Sequence, residues 1–237
     1  MNDNKKACVL LSGGMDSTAC LHWALTKYGE VRAVGFDYGQ PQRDAELTAA
    51  GRVARRRGVP FEIIALADTL HSGILAAVPS HESVPSSSIH RAFVPGRNLV
   101  FLSVALSRAM RWWPDVGRLR LVIGAVAEDT SGFPDCTGAF LQAASTALSA
   151  AVAVDVKVRA PFNTITKAEM LAVASKFFPD SLTDIQESWS CYAGRGPCGT
   201  CTPCVLRASA LAESGLPDLA KVPAMTGGDV GRERGFS

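Results

Sequence analysis

Apolar runs and stretches of helical periodicity alternate along this chain from its first residues to its last third. The runs at 7–11, 31–36, 61–66 and 119–123 are apolar and rich in β-branched or aromatic residues. Positions 152–158 alternate apolar with polar, and each of these five segments predicts a strand. Between them, 16–28, 43–57, 99–112, 140–150 and 167–178 carry helical spacing, with Thr18, Leu21 and Leu25 on one face of the first. This alternation predicts an α/β fold, a doubly wound parallel sheet with helices on both faces. Such sheets bind ligands beyond the carboxyl ends of the strands, where the strand order reverses. Residues 79–96, PSHESVPSSSIHRAFVPG, are polar and rich in Ser and Pro, a composition and length expected of a lid or mobile loop. The expected organisation is an α/β domain over 1–180, a four-cysteine segment over 181–215 packed on it, and a loose tail over 216–237.

Size and charge narrow the class without naming it. The 237 residues, 47% of them hydrophobic, suffice for one large α/β domain with an appendage. No apolar run reaches the length of a membrane span, and the opening MNDNKKA lacks the apolar core of a signal peptide, so a cytoplasmic protein without a membrane partner is expected. A net charge of +2 and a pI near 8.2 give no sign of direct nucleic-acid binding. The basic run Arg52, Arg55, Arg56, Arg57 is expected to be a solvated helix end.

The first strand runs into LLSGGMDST, residues 10–18. Two glycines between hydroxyl residues, after a strand and before a helix, form an anion site: backbone N–H groups and the positive end of the helix dipole converge there. Leu11, Ser12, Gly13, Gly14, Met15, Asp16, Ser17 and Thr18 are therefore the candidate phosphate-binding residues. No GK[ST] follows, so this is not a Walker loop. Asp16 repels phosphate and makes sense as a helix N-cap or as a magnesium ligand through water.

Seven cysteines, an odd number, do not suggest a disulfide framework. Four of them, Cys191, Cys198, Cys201 and Cys204, stand in SCYAGRGPCGTCTPC with spacing C-x6-C-x2-C-x2-C. Four thiolates this close can close a tetrahedral, structural zinc site. The surrounding glycines and prolines favour a metal knuckle over buried free thiols. An iron–sulfur cluster is the chemical rival, but its runs usually place three residues before the fourth cysteine.

The SGGMDS loop resembles the pyrophosphate-binding loop of the ATP pyrophosphatase family. Four further strings sharpen the resemblance: FDYGQ at 36–40, VPGRN at 94–98, DTSGFPDC at 129–136 and SWSCY at 188–192. With SGGMDS and the cysteine spacing, they resemble the 7-cyano-7-deazaguanine synthase family over residues 7–212, in the right order. The resemblance implies an adenine nucleotide alpha hydrolase-like fold and an ATP-dependent, carbon–nitrogen bond-forming ligase. It implies that 7-carboxy-7-deazaguanine is activated as an acyl adenylate, converted by ammonia to the amide, then activated again and dehydrated to the nitrile. It also implies a role in queuosine or related deazapurine synthesis, and a homodimer.

The residues suit that chemistry. ATP, magnesium and a structural zinc are the expected cofactors, and free ammonia the nitrogen source. Arg97 in VPGRN is a candidate cation for phosphate. Lys167 in TKAEM aligns with a lysine of the family, and its alternative is an ordinary helix-start lysine. With Asp16 these form the candidate catalytic set. Asn98, Asp129, Ser131 and Asp135 are candidate substrate residues. Asn98 caps its helix or binds substrate; Asp135 accepts from a guanine-like edge or forms a turn. Cys136 is not expected to be a nucleophile, since adenylation needs none, and His22, His71, His81 and His90 form no ligand spacing. The chain departs from the family at Pro41 and Gln42, where Arg and His are usual, and at Thr137, where Arg is usual. Phe162 stands where leucine is usual, and CGTCTPC lacks an acidic residue. These departures bear on substrate identity. They leave two alternatives, a relative that adenylates another acid and a non-catalytic nucleotide- or RNA-binding module.

Overall fold

A computed structural model describes residues 5–66, 70 and 93–220. Five strands, β1 Lys6–Leu10, β2 Glu30–Asp37, β3 Phe61–Ala65, β4 Arg118–Val122 and β5 Asp155–Arg159, form one sheet in the order β3-β2-β1-β4-β5, and every pairing is parallel. The helices are α1 Met15–Lys27, α2 Arg43–Arg56, α3 Arg97–Trp112, α4 Ala127–Thr130, α5 Gly138–Val152, α6 Lys167–Phe177, α7 Ser181–Gln186 and α8 Thr202–Glu213. The doubly wound α/β expectation therefore holds, with the order reversing between β1 and β4.

Strand alternation explains the two cores. Ala7, Val9 and Leu11 face one side of the sheet and pack with α1, α6 and part of α2 through Leu21, Val53, Met170 and Leu171. Cys8 and Leu10 face the other and meet α3 and α5 through Leu102, Leu106 and Leu148. Leu11, Leu21, Leu102 and Leu121 are fully buried, each worth about 1.5–3 kcal/mol relative to exposure. A smaller third cluster sets Ala45 and Ala49 of α2 against Trp189, Cys191, Cys201 and Cys204. The cysteine segment thus packs on α2.

Three expectations need correction. Residue 152 closes α5 rather than opening the last strand, and Ala153 turns the chain at φ +55° before β5. The basic run is not a solvated helix end. Arg56 Nη1 and Arg57 Nε donate to the buried Asp184 at 2.5 and 2.6 Å, and Arg56 Nη2 and Arg52 Nε reach Glu187 at 2.8 and 3.4 Å. His22 Nε2 lies 2.9 Å from the same Asp184, so this carboxylate ties α1, α2 and α7 together. Lastly, the start of the expected tail is pinned: Leu219 N and Gln186 Nε2 bond Gln186 O and Pro217 O, and Arg207 Nε and Nη2 donate to Asp218 at 2.9 Å. Most of the expected lid, residues 79–92, and residues 221–237 lie outside the described residues. Among the described residues, no helix is long and apolar enough to cross a membrane.

Candidate active site

The loop after β1 is held from three sides. Gly13 adopts φ +84°, and a Cβ there would lie 2.2 Å from Glu46 O and 2.7 Å from Ala50 N. Only glycine lets the loop close onto α2. Gly13 O accepts from Trp189 N at 2.8 Å, which brings the SWSCY string to the loop. Ser12 Oγ and Ser17 Oγ are 3.0 Å apart, and Ser12 Oγ accepts from Gly14 N at 3.3 Å. Gly14, in extended conformation, is the N-cap of α1 and makes no side-chain cap bond. Asp16 is therefore not the cap; it lies in the first turn, with its carboxylate directed elsewhere.

That carboxylate meets Lys167. Lys167 Nζ donates to Asp16 Oδ2 at 2.5 Å across 151 residues, and its own backbone N–H donates to Glu128 Oε1 at 3.0 Å. The lysine starts α6, whose capping box is made by Thr166 and Glu169. Burial alone would lower the Lys167 pKa, but Asp16 and Asp129 outweigh it and the ammonium is held above its ordinary range. Asp129 accepts from Val126 N at 3.1 Å. Burial, with the charge of Asp16 beside it, pushes Asp129 up to about 6. Asp16 Oδ1 and Glu128 Oε2 are buried without a partner among the described residues.

A second polar group lies across the same cavity. Arg97, the first residue of α3, donates from Nη1 to Tyr38 Oη at 3.4 Å, and its buried Nε has no partner among the described residues. Tyr38, Asp135 and Tyr192 are the charged or polar groups that act on it. Gln40 is oriented by its own loop: its Oε1 accepts from Tyr38 N at 3.0 Å and its Nε2 donates to Phe36 O at 3.0 Å and Glu46 Oε2 at 3.3 Å. Burial pushes Glu46 up to about 7, opposed by the side-chain amides of Gln40 and Gln42 and by Arg97.

Both groups line one cavity of about 310 Å³ at the carboxyl ends of β1, β2 and β4. It is lined by Leu11, Ser12, Gly14, Met15, Asp16 and Ser17 of the loop, and by Lys167, Glu128 and Asp129. Arg97, Asn98, Tyr38, Gln40, Gln42 and Glu46 also line it, as do Trp189, Ser190 and Tyr192 next to the cysteines. Lys167 and Arg97, both expected at phosphate, thus belong to different groups of neighbours. Thr18 is buried in α1, and Gly13 serves the approach to α2.

Two expected substrate residues stand outside the lining. Ser131 bonds back to Glu128 O at 3.3 Å. Asp135 is buried, and its Oδ2 accepts from Asn98 N at 3.2 Å while its backbone O accepts from Asn98 Nδ2 at 3.1 Å. It caps the start of α3. Thr137, one of the departures, is the N-cap of α5 and accepts from Phe140 N at 3.3 Å. Gln42 is buried at the cavity wall, and a Cβ on Gly194 would meet Pro41 O at 2.7 Å. The 41–42 departure therefore packs on the cysteine segment. Cys136 lines the cavity with its thiol pushed up to about 12 by burial, which suits no nucleophile. Sequence reasoning placed Gln40 in the string after β2 without giving it a role, and left Glu46, in the first turn of α2, out of the candidate set.

The four cysteine Sγ atoms lie within 4.8 Å of one another. A tetrahedron with metal–sulfur bonds of about 2.3 Å has sulfur–sulfur edges of about 3.8 Å, and Cys198 and Cys204 are 4.0 Å apart. Backbone N–H groups of Ala193 and Cys198 point at Cys191 Sγ, and that of Cys201 at Cys198 Sγ. Cys198 is lowered to about 6: desolvation opposes the shift, and donors from Thr200 and Cys201 overcome it. The donor set fits a closed metal site.

The family model described as Queuosine biosynthesis protein QueC matches residues 6–215. A relative from Laribacter hongkongensis named 7-cyano-7-deazaguanine synthase is 37% identical over 225 residues, spanning 92% of this chain and 95% of its own. One of the same name from Chromobacterium violaceum is 38% identical, with 91% and 92% covered. Another from Bacteroides fragilis is 36% identical, with 89% and 96% covered.

Proposed function

The chain belongs to the family of Queuosine biosynthesis protein QueC, and we propose that it converts 7-carboxy-7-deazaguanine and ammonia to 7-cyano-7-deazaguanine as an ATP-dependent ligase. The observation that carries the reading is a single cavity holding a phosphate-type loop with Lys167 and, apart from it, the buried Arg97.

A carboxylate is a poor electrophile, so its oxygen must become a leaving group. In the first step it attacks the α-phosphorus of ATP, and pyrophosphate departs. Backbone N–H groups of residues 12–17 and the Lys167 ammonium take up the charge that develops on the phosphates. Ammonia adds to the acyl adenylate, loses a proton and expels AMP, giving the amide. The amide oxygen then attacks a second ATP, again releasing pyrophosphate. Loss of AMP and of the nitrogen's protons leaves the nitrile. Arg97 holds the negative carboxylate toward the nucleotide. Its unpartnered Nε gives it a free N–H for that purpose.

Magnesium fits beside the loop, because Asp16 Oδ1 and Glu128 Oε2 are buried carboxylate oxygens without a partner. Asp16 and Glu128 would hold it, through water and phosphate rather than in an all-protein cage. It would supply charge neutralisation on the phosphates. Zinc at Cys191, Cys198, Cys201 and Cys204 would be structural, fixing Tyr192 and Trp189 at the cavity wall. The test is to incubate the protein with the acid, ATP, magnesium and ammonium and to look by mass spectrometry for the nitrile and AMP. Absence of both amide and nitrile with folded, metal-replete protein overturns the reading.

A further inference from the structure

A purine-like acid must be told from other acids, and three of the cavity's carboxylates, Asp16, Glu128 and Asp129, cluster around Lys167 at the phosphate loop. Asp16 is paired with Lys167, Glu128 accepts the Lys167 backbone N–H, and Asp129 accepts Val126 N. Asp135 Oδ2 bonds the α3 terminus while its Oδ1 is buried without a partner among the described residues, and the residue stands outside the lining. Glu46 is different. It lines the cavity from α2, near Tyr38 and Arg97, and its Oε2 is held by Gln40 Nε2. Gln40 in turn is locked by Phe36 O and Tyr38 N, so the carboxyl is aimed by the loop rather than free to rotate. Aromatic rings line the same cavity: Phe36 and Phe101 stack on each other with centroids 4.2 Å apart, and Tyr38 meets Phe101 edge-on.

We propose that Glu46 is the specificity-determining residue that accepts hydrogen bonds from the ring N–H and amine edge of the deazapurine, with Gln40 as its positioning residue. A carboxyl group in a cavity lined by aromatic rings suits a flat heterocycle with adjacent donors, because carboxyl oxygens accept from them. Burial makes its bonds strong and an unmatched ligand costly. This inference rests on the proposed function, whose reaction it deepens.

The test compares the acid with its analogue lacking the 2-amino group, measured as kcat/KM for nitrile formation. Wild type is expected to prefer the amino-bearing acid at least about tenfold. Glu46→Gln, nearly isosteric, loses that preference while binding a non-hydrolysable ATP analogue as wild type does. Glu46→Asp keeps part of it, and Asp135→Asn keeps all of it. A full preference in folded Glu46→Gln, or its loss in Asp135→Asn, overturns the assignment and leaves the activity standing. Folded wild type that binds nucleotide yet turns over neither acid overturns the proposed function, and this inference with it.

Discussion

Replacing Lys167 by Met removes one ammonium and keeps most of the side chain's volume. At 2.5 Å and an effective dielectric near 20, the gross attraction to Asp16 is about 7 kcal/mol. Desolvating the buried ammonium offsets several kcal/mol of that, so the net loss on breaking the pair is about 3–5 kcal/mol. The loss should grow with pH. Asp129 is already raised to about 6, and Lys167 is one of the groups lowering it; without the ammonium it rises further. A carboxyl whose folded pKa exceeds its unfolded value of about 3.9 loses stability as pH climbs through the folded value. The Met variant, in the absence of divalent cations, is therefore less destabilised at pH 5.5 than at pH 8. Urea titrations at the two values read this directly. ATP–pyrophosphate exchange with the acid should fall about 100-fold, as for loss of one charge-stabilising donor. A folded variant with undiminished exchange would refute a phosphate role for Lys167, and equal destabilisation at both pH values would refute the carboxylate cluster.

Two other changes test the frame. Asp184 is lowered from its ordinary range: desolvation opposes this, and His22 and Arg57 overcome it. Its contribution is thus present above pH ~4 and lost as pH falls through the folded pKa. Asp184→Asn should cost on the order of 3 kcal/mol, since its partners Arg56 and Arg57 keep some solvent, and lower Tm by about 6–12 °C. The difference from wild type should shrink in acid. Cys201→Ser should lose one bound zinc per chain by elemental analysis and lower Tm, with the same loss in wild type after chelation; unchanged zinc and Tm would contradict a structural metal.

The strand-and-helix frame was legible because the inner strands β1 and β2 are mostly buried apolar runs while the edge strand β5 alternates buried with exposed residues, and the phosphate loop because its chemistry lies in adjacent residues. The cysteine site was equally local, closed within 14 positions. What escaped was long-range. Nothing near Arg56 or Arg57 announces a carboxylate 128 or 127 residues away, so a buried ion-pair centre looked like a solvated helix end. Arg97 and Lys167 resemble each other in sequence, each opening a helix after a turn, yet their neighbours differ because α3 and α6 lie on opposite faces of the sheet. Helix α8 was hidden by the glycines and prolines before it, although Pro203 in its first turn and the spacing of Cys204, Arg207 and Leu211 mark it. Glu46 stands in a helix's first turn; only the fold turns it toward the cavity and brings Gln40 to it.

Two adenylations at one cavity are the centre of this account, and isotope transfer tests them most directly. With both carboxylate oxygens of the acid labelled as oxygen-18, the first AMP carries away one label and the second AMP the other. Mass spectrometry should find two singly labelled AMP molecules per nitrile and no label in pyrophosphate. Labelled inorganic phosphate with ADP, or a single labelled AMP per nitrile, would contradict it.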